Sequence, residues 1–204
     1  MKGEAVKDDR QSLSFQDVIR ESIHLGGFIV LLLCKYFINW EVILTIILIV
    51  SLVYIMSEIG RMFGKNMPII SYITSKASGK LEFQEPVTSP IFYALAVIGT
   101  LLFFSKPVGY TSMAVLTLGD SCATIFGKLF GRRHIPFNKS KNIEGTLFGL
   151  LAAFLGSLFF VDPVKAMVAS SAGMLIELFP SPVNDNLTIP LASGLALAST
   201  SAFL

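Results

Sequence analysis

Gly119–Thr146 reads GDSCATIFGKLFGRRHIPFNKSKNIEGT, and this stretch decides what kind of chain this is. It sets one aspartate, five basic residues, one glutamate and several glycines between two long apolar segments. A carboxylate at the centre of a bilayer costs roughly 2.5–3.5 kcal/mol on insertion scales, so charges inside apolar segments usually mark function. Their concentration here, with glycines beside them, is what a site for a metal-bound phosphate requires.

The surrounding sequence makes the membrane reading the natural one. Of 204 residues, 53% are hydrophobic and 15% charged, against about 25% charged in soluble domains. Mean hydropathy is +0.69. Segments near the roughly 20 apolar residues needed to span a bilayer occur at 22–39, 41–57, 87–105, 109–131, 144–161, 163–179 and 186–203. The expectation is an all-α integral membrane protein of about seven transmembrane helices, forming one polytopic domain over 1–204 with a polar segment at 1–20. That segment lacks a signal-peptide pattern. Placing it in the cytoplasm puts 13 of the 16 basic residues inside, leaving Lys35, Lys106 and Lys165 outside.

Cys34 and Cys122 fall in predicted spans and imply neither a disulfide framework nor a metal site. A net charge of +2 argues against a nucleic-acid partner. Gly119, Ala123, Gly127 and Gly131 recur every four residues, and so do Gly145, Gly149, Ala153 and Ser157. Such stripes let membrane helices approach closely. Asp120, Thr124 and Lys128 share that spacing on the neighbouring face, where packing alone has no need of a carboxylate.

Asn142 is placed to cap the fifth predicted helix, with Glu144 in its first turn. Free N–H groups and the dipole favour an anion there, Gly145 would admit it to the backbone, and Lys141 precedes it as a phosphate point charge. Arg132, Arg133 and Lys139 read equally well as topology anchors, and His134 as a loop histidine. A second acidic patch, ELFPSPVNDNLTIP, carries Glu177, Asp185 and Asn186 and falls on the same face by topology. Two acids from separate loops suit Mg²⁺, although an Asn-Asp turn explains part of the pattern.

Taken together, G-D-x-x-A at 119–123, G-x-x-x-G at 127–131, P-F-N-x-x-K-x-x-E-G-T at 136–146 and D-N-x-x-x-P at 185–190 resemble the polyprenol kinase family. It includes dolichol, phytol and CTP-dependent diacylglycerol kinases, and is similar more distantly to CDP-diglyceride synthases. Arg20 and His24 are similar to the family's basic-x-x-His element. Glu58, Arg61 and either Glu82 or Glu85 match its further acids and base. Asn142 replaces the usual Ser or Thr after the lysine, and Glu21 stands where a lysine is common.

The resemblance implies transfer of the γ-phosphate of CTP to a membrane lipid alcohol with Mg²⁺ as cofactor. Asp120 and Asp185 would hold the metal. Lys128, Arg132, Arg133, Lys141, Asn142, Gly145, Thr146 and Asn186 would serve the nucleotide, and Asp120 or Glu144 would accept the alcohol proton. A cytidylyltransferase and an ion-coupled transporter are the competing readings. The acids lie near one face and no inverted repeat is visible, which argues against the transporter.

Overall fold

The computed structural model describes residues 13–65, 67–78 and 85–201. Glu82 and the polar residues 1–12 lie outside the described residues. Helix α1 runs Phe15–Tyr36, opened by Ser14 and Asp17, which close a reciprocal capping box. α2 is Trp40–Met62, the short α3 is Pro68–Ala77, and α4 is Ser89–Phe103. A continuous central helix follows. It consists of α5 (Lys106–Ala114), a π-helical segment (Val115–Asp120) and α6 (Ser121–Phe130). Strands β1 (His134–Ile135) and β2 (Asn138–Asn142) pair antiparallel, and then come α7 (Ile143–Ser157), α8 (Pro163–Leu178) and α9 (Asp185–Ser201).

All seven apolar segments are therefore helical. By length and apolar composition, two helices among the described residues suffice to cross a bilayer, Trp40–Met62 and the central Lys106–Phe130. Ser89–Phe103 and Ile143–Ser157 are apolar but shorter. Four features differ from the sequence expectation. α1 begins seven residues before its predicted span, because the Ser14 cap draws Asp17, Arg20 and Glu21 into the helix. α3 occupies the 2–3 connection, and a hairpin replaces the 4–5 loop. Pro190 lies within α9 and is buried without ending it.

Buried Met113, Val115 and Leu116 of the central helix pack with Met174 of α8 and Ile189 and Leu197 of α9. Several hydroxyls buried there are satisfied within their own helices. Ser112 donates to Val108 O at 2.8 Å, Ser157 to Ala153 O at 2.7 Å and Ser170 to Ala166 O at 2.7 Å. On α2, by contrast, Ile46, Ile49, Val50, Leu52 and Met56 are exposed, a surface suited to hydrocarbon.

The two small-residue stripes meet each other across α6 and α7. A Cβ on Gly145 would stand 2.5 Å from the carbonyl oxygen of Ala123 and 2.8 Å from Gly127 Cα. A Cβ on Gly149 would stand 2.7 Å from Gly119 O. Backbone faces backbone at both positions, leaving nothing flexible to give way. Gly145→Ala should therefore destabilise the protein by about 1–3 kcal/mol, the usual cost of overpacking, seen as a lower midpoint of thermal unfolding in detergent.

Candidate functional site

The P-F-N segment explains how Lys141 reaches the interior. Pro136 and Phe137 form the hairpin turn, and Phe137 stacks on Phe179 just beyond α8, with ring centroids 5.4 Å apart. Asn138 Nδ2 donates to Leu178 O at 3.0 Å. β2 is thereby fastened to the end of α8, and Lys141 points at Glu177. Its Nζ lies 2.5 Å from Glu177 Oε1, 3.3 Å from Asp185 Oδ2 and 3.9 Å from Asp120 Oδ1. Burial works against the charged ammonium, but Glu177, Asp120 and Asp185 overcome it and hold the lysine pKa above its ordinary value.

A second group stands at the start of α1. Arg20 Nε meets Glu21 Oε1 at 3.1 Å, and its Nη2 lies 3.7 Å from Asp17 Oδ1. Lys128 of α6 pairs with Asp17 Oδ2 at 2.7 Å. Glu21, His24 and Asp120 each offer a ligand atom, all within 4.8 Å of one another. Around the head of the site, then, the carboxylates of Asp17, Glu21, Asp120, Glu177 and Asp185 outnumber the cations Arg20, Lys128 and Lys141. A polyphosphate would meet net negative charge unless divalent cations came with it.

Two cavities meet here. The larger is a cleft of about 880 Å³ whose apolar part lies among α2, α3 and α4, lined by Ile46, Val50, Ile73, Ile91, Ala94 and Val97. Its polar head includes Arg20, His24, Asp120, Lys141 and Asp185. The smaller, about 190 Å³, is bordered by Arg20, Lys128, Lys141, Asn142, Thr146 and Glu177. Arg20, Thr124 and Lys141 border both.

Other candidates are placed differently. Glu144 Oε2 accepts the backbone N–H of Arg132 at 3.1 Å and of Arg133 at 3.2 Å, so it holds the end of α6 to the start of α7. The Arg132 and Arg133 side chains are exposed. Asn142 caps α7 as expected, accepting Gly145 N–H at 2.7 Å, and its Nδ2 donates to Gly127 O at 3.1 Å. The close approach at Gly145 is made by α6, and its N–H is already taken. Thr146 Oγ1 donates to Asn142 O at 3.1 Å while still bordering the small cavity.

Asn186, nearly buried, donates to Ser89 O at 3.1 Å and ties α9 to the start of α4. Glu58 and Arg61 form a 2.6 Å ion pair, with Glu58 Oε2 accepting Val87 N–H at 3.0 Å and Arg61 donating to Glu85 O at 2.7 Å. That pair secures the chain entering α4, beside the cleft wall at Val87. Asp17 is a site residue that the sequence reading does not include, and the Ser14-x-x-Asp17 capping pattern is the signal that marks it.

A helical bundle whose charged cleft head opens onto an apolar groove has the form of a protein that receives an amphiphile at its polar end. The relatives fit that class. The chain is 30% identical over 131 residues to a chloroplastic farnesol kinase of Arabidopsis thaliana, covering 55% of this chain and 43% of the relative. It is 28% identical over 156 residues to phytol kinase 1 of the same plant, covering 67% and 50%, and 28% identical over 129 residues to a probable phytol kinase of Zea mays, covering 54% and 43%. These are polyprenol-type kinases, the family that the motifs resemble. The chain spans about half the length of the curated relatives it matches. No family model matches it, and neither does any solved structure.

Proposed function

We propose that the protein is a lipid-alcohol kinase that moves the γ-phosphate of a nucleoside triphosphate, CTP in this reading, onto the hydroxyl of a membrane isoprenoid alcohol or a diacylglycerol-like lipid. The observation that carries this is the junction of the two cavities at Arg20, Thr124 and Lys141. One cavity, of about 880 Å³, has an apolar arm with room for a hydrocarbon tail, and the other is small and bordered by three cations. The tail would lie among α2, α3 and α4, and the phosphates between Arg20, Lys128 and Lys141. The reading also includes seven spans, an inside N-terminus and a site facing the cytoplasm, supported by the bias of basic residues.

The donor set suits magnesium, since Asp120 and Asp185 are carboxylates flanking Lys141 in one cleft. Bound there, Mg²⁺ would neutralise charge on the phosphates. The residues do the rest. Lys141 and Arg20 orient the γ-phosphoryl group toward the cleft, and the apolar walls exclude water from it. The alcohol oxygen bonds to the γ-phosphorus as the bond to the β-phosphate oxygen breaks. The alcohol proton passes to a carboxylate, and the nucleoside diphosphate leaves. Of the two sequence candidates for that base, Asp120 lines the cleft while Glu144 is engaged with backbone N–H groups.

Purified protein given γ-³²P-CTP or γ-³²P-ATP, Mg²⁺ and a panel of lipid alcohols should move label into an organic-extractable lipid. CDP-lipid and pyrophosphate formed from α-labelled CTP and a lipid phosphate would identify a cytidylyltransferase instead and end the kinase reading. Within that assay, Ala94→Trp fills the apolar arm of the cleft. It should raise KM for long-chain alcohols at least tenfold while leaving KM for the nucleotide within twofold.

A further inference from the structure

We propose that Glu21, His24 and Asp120 form a binding site for a transition-metal dication of the Mn²⁺ or Zn²⁺ type, separate in composition from the magnesium set. The first observation is geometric. One imidazole nitrogen and two carboxylate oxygens, from α1 and from the last residue of the π segment, lie within 4.8 Å of one another. An ion placed among them would be within coordination reach of all three, and residues three apart on one helix naturally offer ligands to the same side.

The second observation is that these side chains are incompletely used. Glu21 is 2% exposed, yet its Oε2 makes no hydrogen bond of full geometry among the described residues, the neighbouring Ser121 hydroxyl meeting the carboxylate more loosely, and the buried Nδ1 of His24 makes none. Arg20 bonds only the other oxygen of Glu21 and is shared with Asp17. A buried carboxylate with one oxygen idle, close to a second carboxylate, is costly unless a proton or a cation additional to Arg20 completes the group, and the nearby imidazole makes a shared metal ion the completion that uses all three side chains. His24 is held from the other side by Tyr93, ring centroids 5.0 Å apart, which fixes the imidazole at the cleft wall.

Ligand chemistry selects the metal. Imidazole suits Zn²⁺ and Fe²⁺, and the two carboxylates suit Mn²⁺ as well, whereas Mg²⁺ takes oxygen ligands almost exclusively. Asp185 is not among the three residues, and Asp120 is common to both sets. The site is defined without any nucleotide, so its test stands apart from the kinase reading.

The full chain in detergent, stripped with EDTA and free of nucleotide, would be titrated with Mn²⁺, the unbound ion being read from its EPR signal. One equivalent should bind to wild type. Glu21→Gln, close in shape, and His24→Phe should each weaken binding at least tenfold, and Asp185→Asn by less than threefold. Size-exclusion elution would certify that each variant is folded. Co²⁺ loaded in place of Mn²⁺ should give visible absorption bands that change with His24→Phe. No binding by wild type, or equal binding by wild type and the folded Glu21→Gln and His24→Phe variants, overturns the assignment. So does loss confined to Asp185→Asn, which would return the ion to the magnesium set.

Discussion

Lys141→Met should lose stability and phosphoryl transfer together, and Lys141→Met/Glu177→Gln should regain the stability alone. The single change strips the one ion-pairing partner that Glu177, 1% exposed, has among the described residues and leaves Asp120 and Asp185 facing the same gap. Breaking a buried pair on one side costs about 3–5 kcal/mol, because the remaining charge stays behind without compensation. Neutralising Glu177 removes most of that penalty, so the double variant should unfold within a few degrees of wild type. It would still lack the cation that borders both cavities, and label should not reach lipid. Recovery of transfer in the double variant would show that Lys141 serves architecture and not the phosphates. The readouts are thermal unfolding and the radiolabel assay, made on the same preparations.

Asp120→Asn should behave in the opposite way, folding normally and turning over roughly 10²–10⁴-fold more slowly, the usual contribution of a positioned base. Its nearest recorded cation contact, Lys141 at 3.9 Å, is too long to be a hydrogen bond, so little packing energy rides on the charge. Amide for carboxylate keeps the shape and removes both the proton acceptor and a charged ligand of the magnesium set. KM for the alcohol should change little, since the apolar arm of the cleft is untouched. A variant with unaltered kcat would exclude Asp120 from the chemistry and leave the remaining cleft carboxylates, Asp185 foremost, to account for it.

The charged stretch disclosed the centre of the site because its spacing carries the geometry. Asp120 shares a helical face with Thr124 and Lys128, and Asn142 is a capping residue in a capping position. Lys141 and Glu177, 36 residues apart, could be joined only by the hairpin fastened through Phe137 and Asn138, and a run such as NKSKN has no apolar alternation to announce a strand. α3 is ten residues long, too short to register as a span. The start of a helix favours anions, which is why the sequence points to Glu144 and Gly145 as serving a ligand. Both have local partners in the structure, the N–H groups of Arg132 and Arg133 in one case and the α6 backbone in the other. Glu21 was visible as an unusual residue, but burial is what gives it meaning, and burial is a property of the assembled bundle.

The π segment at Val115–Asp120 has a consequence for how this helix can tolerate change. Its widened turn holds one residue more than an α-turn, so the two flanking stretches run out of phase by one step, about 100° at 3.6 residues per turn. The upstream half can keep Tyr110, Met113 and Ala114 turned into the bundle while the downstream half presents Asp120, Thr124 and Lys128 elsewhere. One helix thereby serves two masters whose angular demands conflict. A chain lacking that single extra residue would have nearly identical composition and hydropathy, yet its aspartate would face a different compass point, and no inventory of motifs would register the loss.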